Sequence, residues 1–402
     1  MSEFKNLPSG WKVVRLGEIG KVINGLTYSP DNVSNNGLLV LRSSNINNNS
    51  IVLNNDDVYV KGISKFNKTL ENDILICVRN GSKNLIGKSA LITEKYKDLA
   101  FGAFMAIFRS NYNLFLIHIF KTNTFFKQVK NDLGATINSI NNGNLLNFKI
   151  PLPPLDEQKK IAEILSTWDE AINLTINLIE SKKQFKKALM QNLLTAKIRF
   201  PQFKDEWKKI KMNDIFTEID ERSIANNQYE ILSVTLNGIV PQNTHFKKRI
   251  ASEDNSGYKI LRYGNLVIGM NLWMGGIDIL INQNIGIVSP AYRIFKIDDK
   301  YNIYFLRNFI KTKKMLELYV LHSEQGASVV RRNLNLSELL EEKIKLPNLK
   351  EQQKIAEVLT ACDDEINLLN LKLENLKKQK QGLMQKLLSG KVIVWLKNIA
   401  SC

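Results

Sequence analysis

The stretch from Leu152 to Phe200 returns at Leu346 to Val394 with a constant offset of 194 residues, no gap, and about half of its positions identical. A long internal repeat constrains architecture more than any other sequence feature, because both copies must adopt the same local structure. Each copy follows a segment of about 150 residues, and those two segments are far less alike. Faint echoes remain at their ends: Trp11-Lys12 against Trp207-Lys208, and Gly134-Ala135-Thr136 against Gly326-Ala327-Ser328. The chain therefore reads as variable 1–151, constant 152–200, variable 201–345 and constant 346–394, with a tail at 395–402. It is a duplicated half-molecule whose connectors stayed similar while its other domains diverged.

The constant segments have the period of long helices. In the second copy Ile355, Leu359, Cys362, Ile366, Leu369, Leu373, Leu376, Lys380, Leu383 and Leu387 alternate at spacings of four and three. Ile161, Leu165, Trp168, Ile172, Thr175, Ile179, Lys182, Lys186, Leu189 and Leu193 match them in the first. That is a heptad seam. Pro153-Pro154 and Pro347 precede the runs, where proline is tolerated, and Glu157 and Glu351 suit a positive helix start. A helix of ~40 residues is ~60 Å long, and a stripe of that length needs a partner. The economical partner is the other copy. Halves related by a pseudo-two-fold axis would pair antiparallel and hold the variable domains at opposite ends.

Strand-like runs in the variable segments include Leu38–Leu41, Asp73–Val78, Ala103–Phe108, Leu266–Ile268 and Ala291–Ile297. Asn113–Lys130 and Tyr304–Tyr319 look helical, and Asn, Gly and Ser clusters mark the turns between. The expected class is α+β: two mixed α/β domains separated by two long helices in an antiparallel intramolecular coiled coil. Lysine and arginine outnumber aspartate and glutamate 56 to 39, a net +17. Residues 1–151 carry 18 basic against 10 acidic groups, residues 201–345 carry 21 against 17, and each constant copy only 8 against 6. A polyanion should therefore meet the variable domains rather than the helices. No apolar run approaches the ~18 residues of a membrane span, the first residues lack a signal-peptide core, and three scattered cysteines form no framework. These features give the expectation of a soluble, cytoplasmic protein.

Catalytic signatures are missing. Gly81 to Ser89 almost spells a phosphate-cradling loop, but five residues separate its glycines where four are needed, and Ala90-Leu91-Ile92 reads as a strand. A polar hairpin loop is the better reading. No Asn-Pro-Pro-aromatic tetrapeptide occurs, Asp298-Asp299-Lys300 is too short a match to signal a nuclease, and His118, His245 and His322 lack metal-ligand spacing. His118, inside an apolar run, is expected to be structural. No metal site and no cofactor of the chain's own are expected.

Candidate readout residues are the types that fork onto base edges or meet phosphates. In the first variable domain they are Arg42, Ser44, Asn45, Asn47, Arg79, Asn80, Ser82, Lys83, Asn84, Thr136, Asn138 and Asn141. In the second they are Lys247, Lys248, Arg249, Asn271, Arg293, Arg331, Arg332 and Asn333.

The full length resembles the specificity subunits of type I restriction–modification systems. The resemblance rests on the duplicated Leu-Pro-x-Leu-x-Glu-Gln-x-Lys-Ile-Ala-Glu segments Leu152–Glu163 and Leu346–Glu357, and on the Leu-Met-Gln-x-Leu-Leu endings at Leu189–Leu194 and Leu383–Leu388. Asp73-Ile74-Leu75 with Gly87-Lys88, Ser289-Pro290-Ala291-Tyr292 and the Gly-Ala-Thr/Ser elements support it. It implies that each variable domain reads one half of a bipartite site on double-stranded DNA. It also implies that the helices set the spacer and dock two modification (methyltransferase) subunits, joined by restriction (translocase/nuclease) subunits. S-adenosylmethionine, ATP and magnesium would then belong to those partners. Two other readings stay open from the residues alone: a self-sufficient DNA endonuclease or methyltransferase, and a DNA-binding scaffold unrelated to restriction.

Overall fold

The computed structural model describes residues 7–47, 49–133, 138–235, 238–246, 250–269, 272, 276–328 and 331–392, with backbone alone for 325–328 and 331–333. The constant segments form two helices of 39 residues each, Leu155–Leu193 and Leu349–Leu387. The chain divides into two units. Unit 1 comprises the residues up to Ile176 and those from Lys372; unit 2 runs from Asn177 to Leu371. Each long helix thus contributes one half to each unit, and each unit is a variable domain built onto two half-helices.

In unit 1, Ile161 and Leu165 near the start of the first helix share a core with Leu387 and Leu388 at the end of the second. In unit 2, Leu193 and Leu194 from the end of the first helix share a core with Ile355 and Leu359 from the start of the second. The helices are therefore antiparallel in both units, as the repeat predicts. None of the twenty seam residues is exposed. The lysines that interrupt the seam are paired across it: Lys380 with Asp169 in unit 1, and in unit 2 Lys186 with both oxygens of Asp363 at 2.6 Å and Lys182 with Glu365 at 2.7 Å. Asp169 and Asp363 occupy the same place in the repeat, as do Lys186 and Lys380.

The variable domains share a topology that their sequences barely show. Unit 1 has a four-stranded antiparallel sheet in the order Lys21–Asn24, Met105–Arg109, Ile74–Cys77, Ser89–Leu91. Unit 2 repeats it as Phe216–Ile219, Arg293–Ile297, Leu266–Ile268, Ile277–Ile279. A two-stranded ribbon closes each domain just before its long helix, Lys12–Arg15 with Lys149–Leu152 and Lys208–Lys211 with Lys343–Leu346. Each predicted strand run contains a strand. The two helical stretches differ from expectation, because each splits in two: Asn113–Ile119 with Asn123–Asp132, and Ile303–Phe309 with Lys313–Leu321. A threonine sits at the second helix's N-cap in both, and Thr122 accepts from Phe125 N at 3.2 Å. A hydroxyl that satisfies a free amide in this way starts a new helix without proline or glycine.

The Glu-Gln pair of the repeated motif ties the start of each long helix to the chain around it, reaching the variable domain through Trp11 in unit 1 and Asn302 in unit 2. Gln158 donates to the Pro153 carbonyl at 2.7 Å and Gln352 to the Pro347 carbonyl at 2.9 Å. The glutamates do more than face a helix start. Glu157 accepts from the Trp11 indole at 3.0 Å, while Glu351 accepts two bonds at 2.8 Å from the Arg199 guanidinium. Trp207, the counterpart of Trp11, consequently has a buried indole nitrogen with no protein partner.

His118 is buried in unit 1, 3.8 Å from Asp169, which also accepts from Lys121 at 3.2 Å. Burial would raise the Asp169 carboxyl, but Lys121 and Lys380 together outweigh it and hold it below the usual range. Burial, aided by Lys121, pushes the His118 imidazole from 6.5 down to about 3. Below pH 6.5 the unfolded chain takes up this proton and the native state does not, so stability should fall with pH until about 3. Replacing His118 by asparagine should flatten the decline, by up to about 2 kcal/mol between pH 6.5 and 5. Melting midpoints of both proteins across that range measure it; equal slopes would show that His118 does not titrate this way.

Candidate nucleic-acid interface

In unit 1, three separate loops converge on one edge of the domain. The first is the turn Ser43–Asn45 after the strand Leu38–Leu41. The second is the hairpin loop from Arg79 to Lys88, which contains the turn Lys83–Leu85. The third is the segment at 138–139. Asn80 bridges the first two by donating to the Ser43 hydroxyl at 3.1 Å, and Lys88 reaches the Ser43 carbonyl at 3.5 Å. Asn138 joins the third by donating to the Gly81 carbonyl at 3.1 Å, and an isolated bridge pairs Arg79 with Ser139. On this edge Arg42, Ser44, Asn47, Arg79, Ser82, Lys83 and Asn84 are exposed. Guanidinium, ammonium, hydroxyl and amide groups thus stand together with little opposing charge, a set able to bind phosphates and donate to base edges. The loop is a polar hairpin followed by the strand Ser89–Leu91, so no helix stands where a nucleotide-binding loop needs one.

One of the residues predicted to read DNA serves the fold instead. Asn45 is fully buried; it accepts from Arg42 N at 2.9 Å and donates to the Val52 carbonyl and the Asp57 carboxylate. Its amide is fully engaged and cannot reach a base. Asn141 is exposed and also caps the helix Asn142–Asn147, its Oδ1 accepting from Asn144 N at 2.8 Å. Asn80 and Asn138 are half-buried braces between loops rather than free amides. Thr136 lies outside the described residues.

Unit 2 carries fewer of its candidates in view. Lys247, Lys248, Arg249 and Asn271 lie outside the described residues, and Arg331, Arg332 and Asn333 are placed only as backbone, in a strand paired with Ser323–Ser328. Arg293 is exposed but held by Glu218 at 2.7 Å. Deeper in the unit, Asp278 is fully buried between Arg307 and Lys311. Burial would raise this carboxyl, yet the two cations outweigh it and keep it ionised, which makes the trio a structural brace. His322 bonds Glu342 at 2.9 Å and so belongs to the domain's own scaffold.

Among the described residues no group of three or more His, Cys, Asp and Glu side chains could hold a metal ion, and no helix is long and apolar enough to cross a membrane. Residues 8–182 and 204–378 both match the family described as the type I restriction modification DNA specificity domain. The chain belongs to this family. Similar members include the putative type I restriction enzyme MjaX specificity subunit of Methanocaldococcus jannaschii, 27% identical over 98% of this chain and 96% of that protein. The EcoKI specificity subunit of Escherichia coli is 28% identical over 53% of this chain and 50% of its own length. The fold resembles that of the type I restriction–modification S subunit from M. genitalium, with a TM-score of 0.58 at 15% identity over 96% of this chain and 98% of that one.

Within this specificity-family chain, the sorting of Asn45 from its neighbours is testable. Asn45→Ala should destabilise unit 1 by about 1–3 kcal/mol, because the three hydrogen bonds of a buried amide are lost, whereas Ser44→Ala on the exposed edge should leave stability unchanged. Chemical denaturation of the two variants checks this, and equal stabilities would return Asn45 to the surface set.

Proposed function

We propose that this chain is the DNA sequence-specificity subunit of a type I restriction–modification complex, each variable domain reading one half of a bipartite site. The observation that carries the reading is one domain topology built twice from divergent sequence, each copy closed by the same ribbon and tied to its long helix at the same Glu-Gln pair. Duplicated frames with different edges suit two different half-sites. The helices set the number of unread base pairs between them, since rod length must match a DNA rise of ~3.4 Å per base pair, adjusted by domain size and DNA bending.

The helices also dock two modification subunits. Leu174 and Leu368, at the same place in the two repeats, are 62% and 67% exposed, and Leu178, Phe185 and Leu371 are exposed as well. An apolar row on a helix already paired along its seam suits a further helical partner. Methyl transfer from S-adenosylmethionine, and ATP- and magnesium-dependent translocation and cleavage, belong to the modification and restriction subunits, so this chain is a non-catalytic reader.

Exchanging residues 1–151 for another variable domain should change one half-site and leave the other intact in a genome-wide map of methylated adenines. A change in both halves would refute separate reading. Inserting about four residues into each long helix at matching points should lengthen the preferred spacer with both half-sites kept, and an unaltered spacer in the same map would rule out the helices as its ruler.

A further inference from the structure

The turn at residues 101–104 of unit 1 is pinned on several sides. Gly102 N donates to the Leu41 carbonyl at 2.9 Å, and the Gly102 carbonyl accepts from Met105 N at 2.8 Å. A Cβ on Gly25 would lie 2.1 Å from the Gly102 oxygen, so the two backbones pass too closely for any residue but glycine. The Phe104 carbonyl accepts from both Val78 N and Arg79 N, at 3.0 and 3.1 Å. On this fixed backbone the Phe104 ring is 58% exposed. A ring held in water forfeits the apolar gain its neighbours take from the core, Phe101 and Met105 being buried on either side.

The surroundings indicate what the ring meets. The Arg79 guanidinium carbon lies 5.8 Å from its centroid. Gly102, at the base of the turn, packs beside the Arg42 side chain. The ring therefore stands beside Arg79, on the same edge as the exposed cations and amides of the candidate interface. In unit 2 the residue at the matching place, just before the strand Arg293–Ile297, is Tyr292, which is half-buried against that domain's core. The exposed ring is a feature of unit 1.

We propose that Phe104 is a base-contacting residue: its ring stacks on a base of the half-site that unit 1 reads, while Arg79 beside it takes an adjacent phosphate. This rests on the DNA-reading function proposed above and adds a contact mode to it. Aromatic rings stack on any base, so Phe104 supplies affinity and local unstacking at one step, and the polar groups around it supply the choice of sequence.

The test uses the chain assembled with its modification subunits and a duplex carrying the mapped site, with 2-aminopurine placed in turn at each position of the half-site read by unit 1. Wild type should change the fluorescence at one position, and Phe104→Ala should abolish that change. Phe104→Ala should also weaken binding between about fivefold and about 150-fold, with the slope of log affinity against log salt unaltered because no phosphate contact is removed. Phe104→Trp should retain both properties, Phe104→Leu should behave like the alanine variant, and Arg79→Ala should lower the salt slope by about one. Melting curves should coincide for wild type and all Phe104 variants, since the ring is exposed. Wild-type affinity in Phe104→Ala, or a fluorescence change that survives it, overturns the stacking role alone. A wild-type complex that prefers its mapped site no more than a scrambled duplex overturns the DNA-reading function and this contact with it.

Discussion

The structure depends on a seam that is not wholly apolar. An uninterrupted stripe of leucine and isoleucine would pair two helices strongly but would tolerate several registers and either direction. Here lysines enter the seam in both units and find carboxylates on the other helix: Lys380 with Asp169 in unit 1, and Lys186 with Asp363 and Lys182 with Glu365 in unit 2. A slip of one heptad, or a parallel pairing, would leave an ammonium facing leucine with no carboxylate in reach. An uncompensated buried charge costs far more than the ion pair itself contributes. The pairs therefore act against the wrong arrangements more than in favour of the right one. Because duplication places the two lysine–aspartate pairs symmetrically, one sequence feature fixes the register in both units.

Fixing the helices would achieve little if the domains could swivel on them. The Glu-Gln tie restrains that, and its two copies show how a duplicated device drifts while keeping its purpose. The glutamine keeps its bond to the proline carbonyl in both copies, and in unit 2 it also accepts from Asn302 N. The glutamate has kept its position but changed partner, from the Trp11 indole to the Arg199 guanidinium. A bidentate guanidinium is the stronger and more directional partner, and with Glu351 so engaged the Trp207 indole has no protein acceptor. The repeat constrains the acceptor, and whichever donor the local chain can present satisfies it.

The helices were legible because their signal is periodic and is printed twice. Their direction followed from symmetry. The division of each helix between two units was not legible, since no proline, glycine or change of composition marks Ile176 or Lys372. The breaks at Thr122 and Thr312 were equally silent, because a threonine in a helical run has no signature until its hydroxyl is seen to bond the backbone, to Phe125 N and the Ile119 carbonyl at Thr122 and to the Phe309 carbonyl at Thr312. Among site residues the difficulty is chemical. An asparagine amide that closes a turn and one that reads adenine use the same donor and acceptor, so Asn45 and Asn47 cannot be told apart until burial separates them. Phe104 was hidden for the opposite reason: in the run Phe101 to Phe108 every apolar residue looks like core.

That contrast explains why the interface takes the form it does. Side chains offered to DNA must be kept from folding back onto their own domain, and short polar side chains on loops do so readily. In unit 1 the restraint comes from other polar groups of the same set: Asn80, Asn138 and Asn45 are consumed in bracing the loops that present Arg42, Arg79 and Lys83. A loop rich in asparagine is thus not a surplus of readers but a small number of exposed groups with the amides that hold them in place. Changing the bracing amides would shift several exposed groups at once, whereas changing an exposed group leaves its neighbours where they are. A domain built this way can alter what it recognises one side chain at a time, on a frame that the duplicated sheet and helices keep constant.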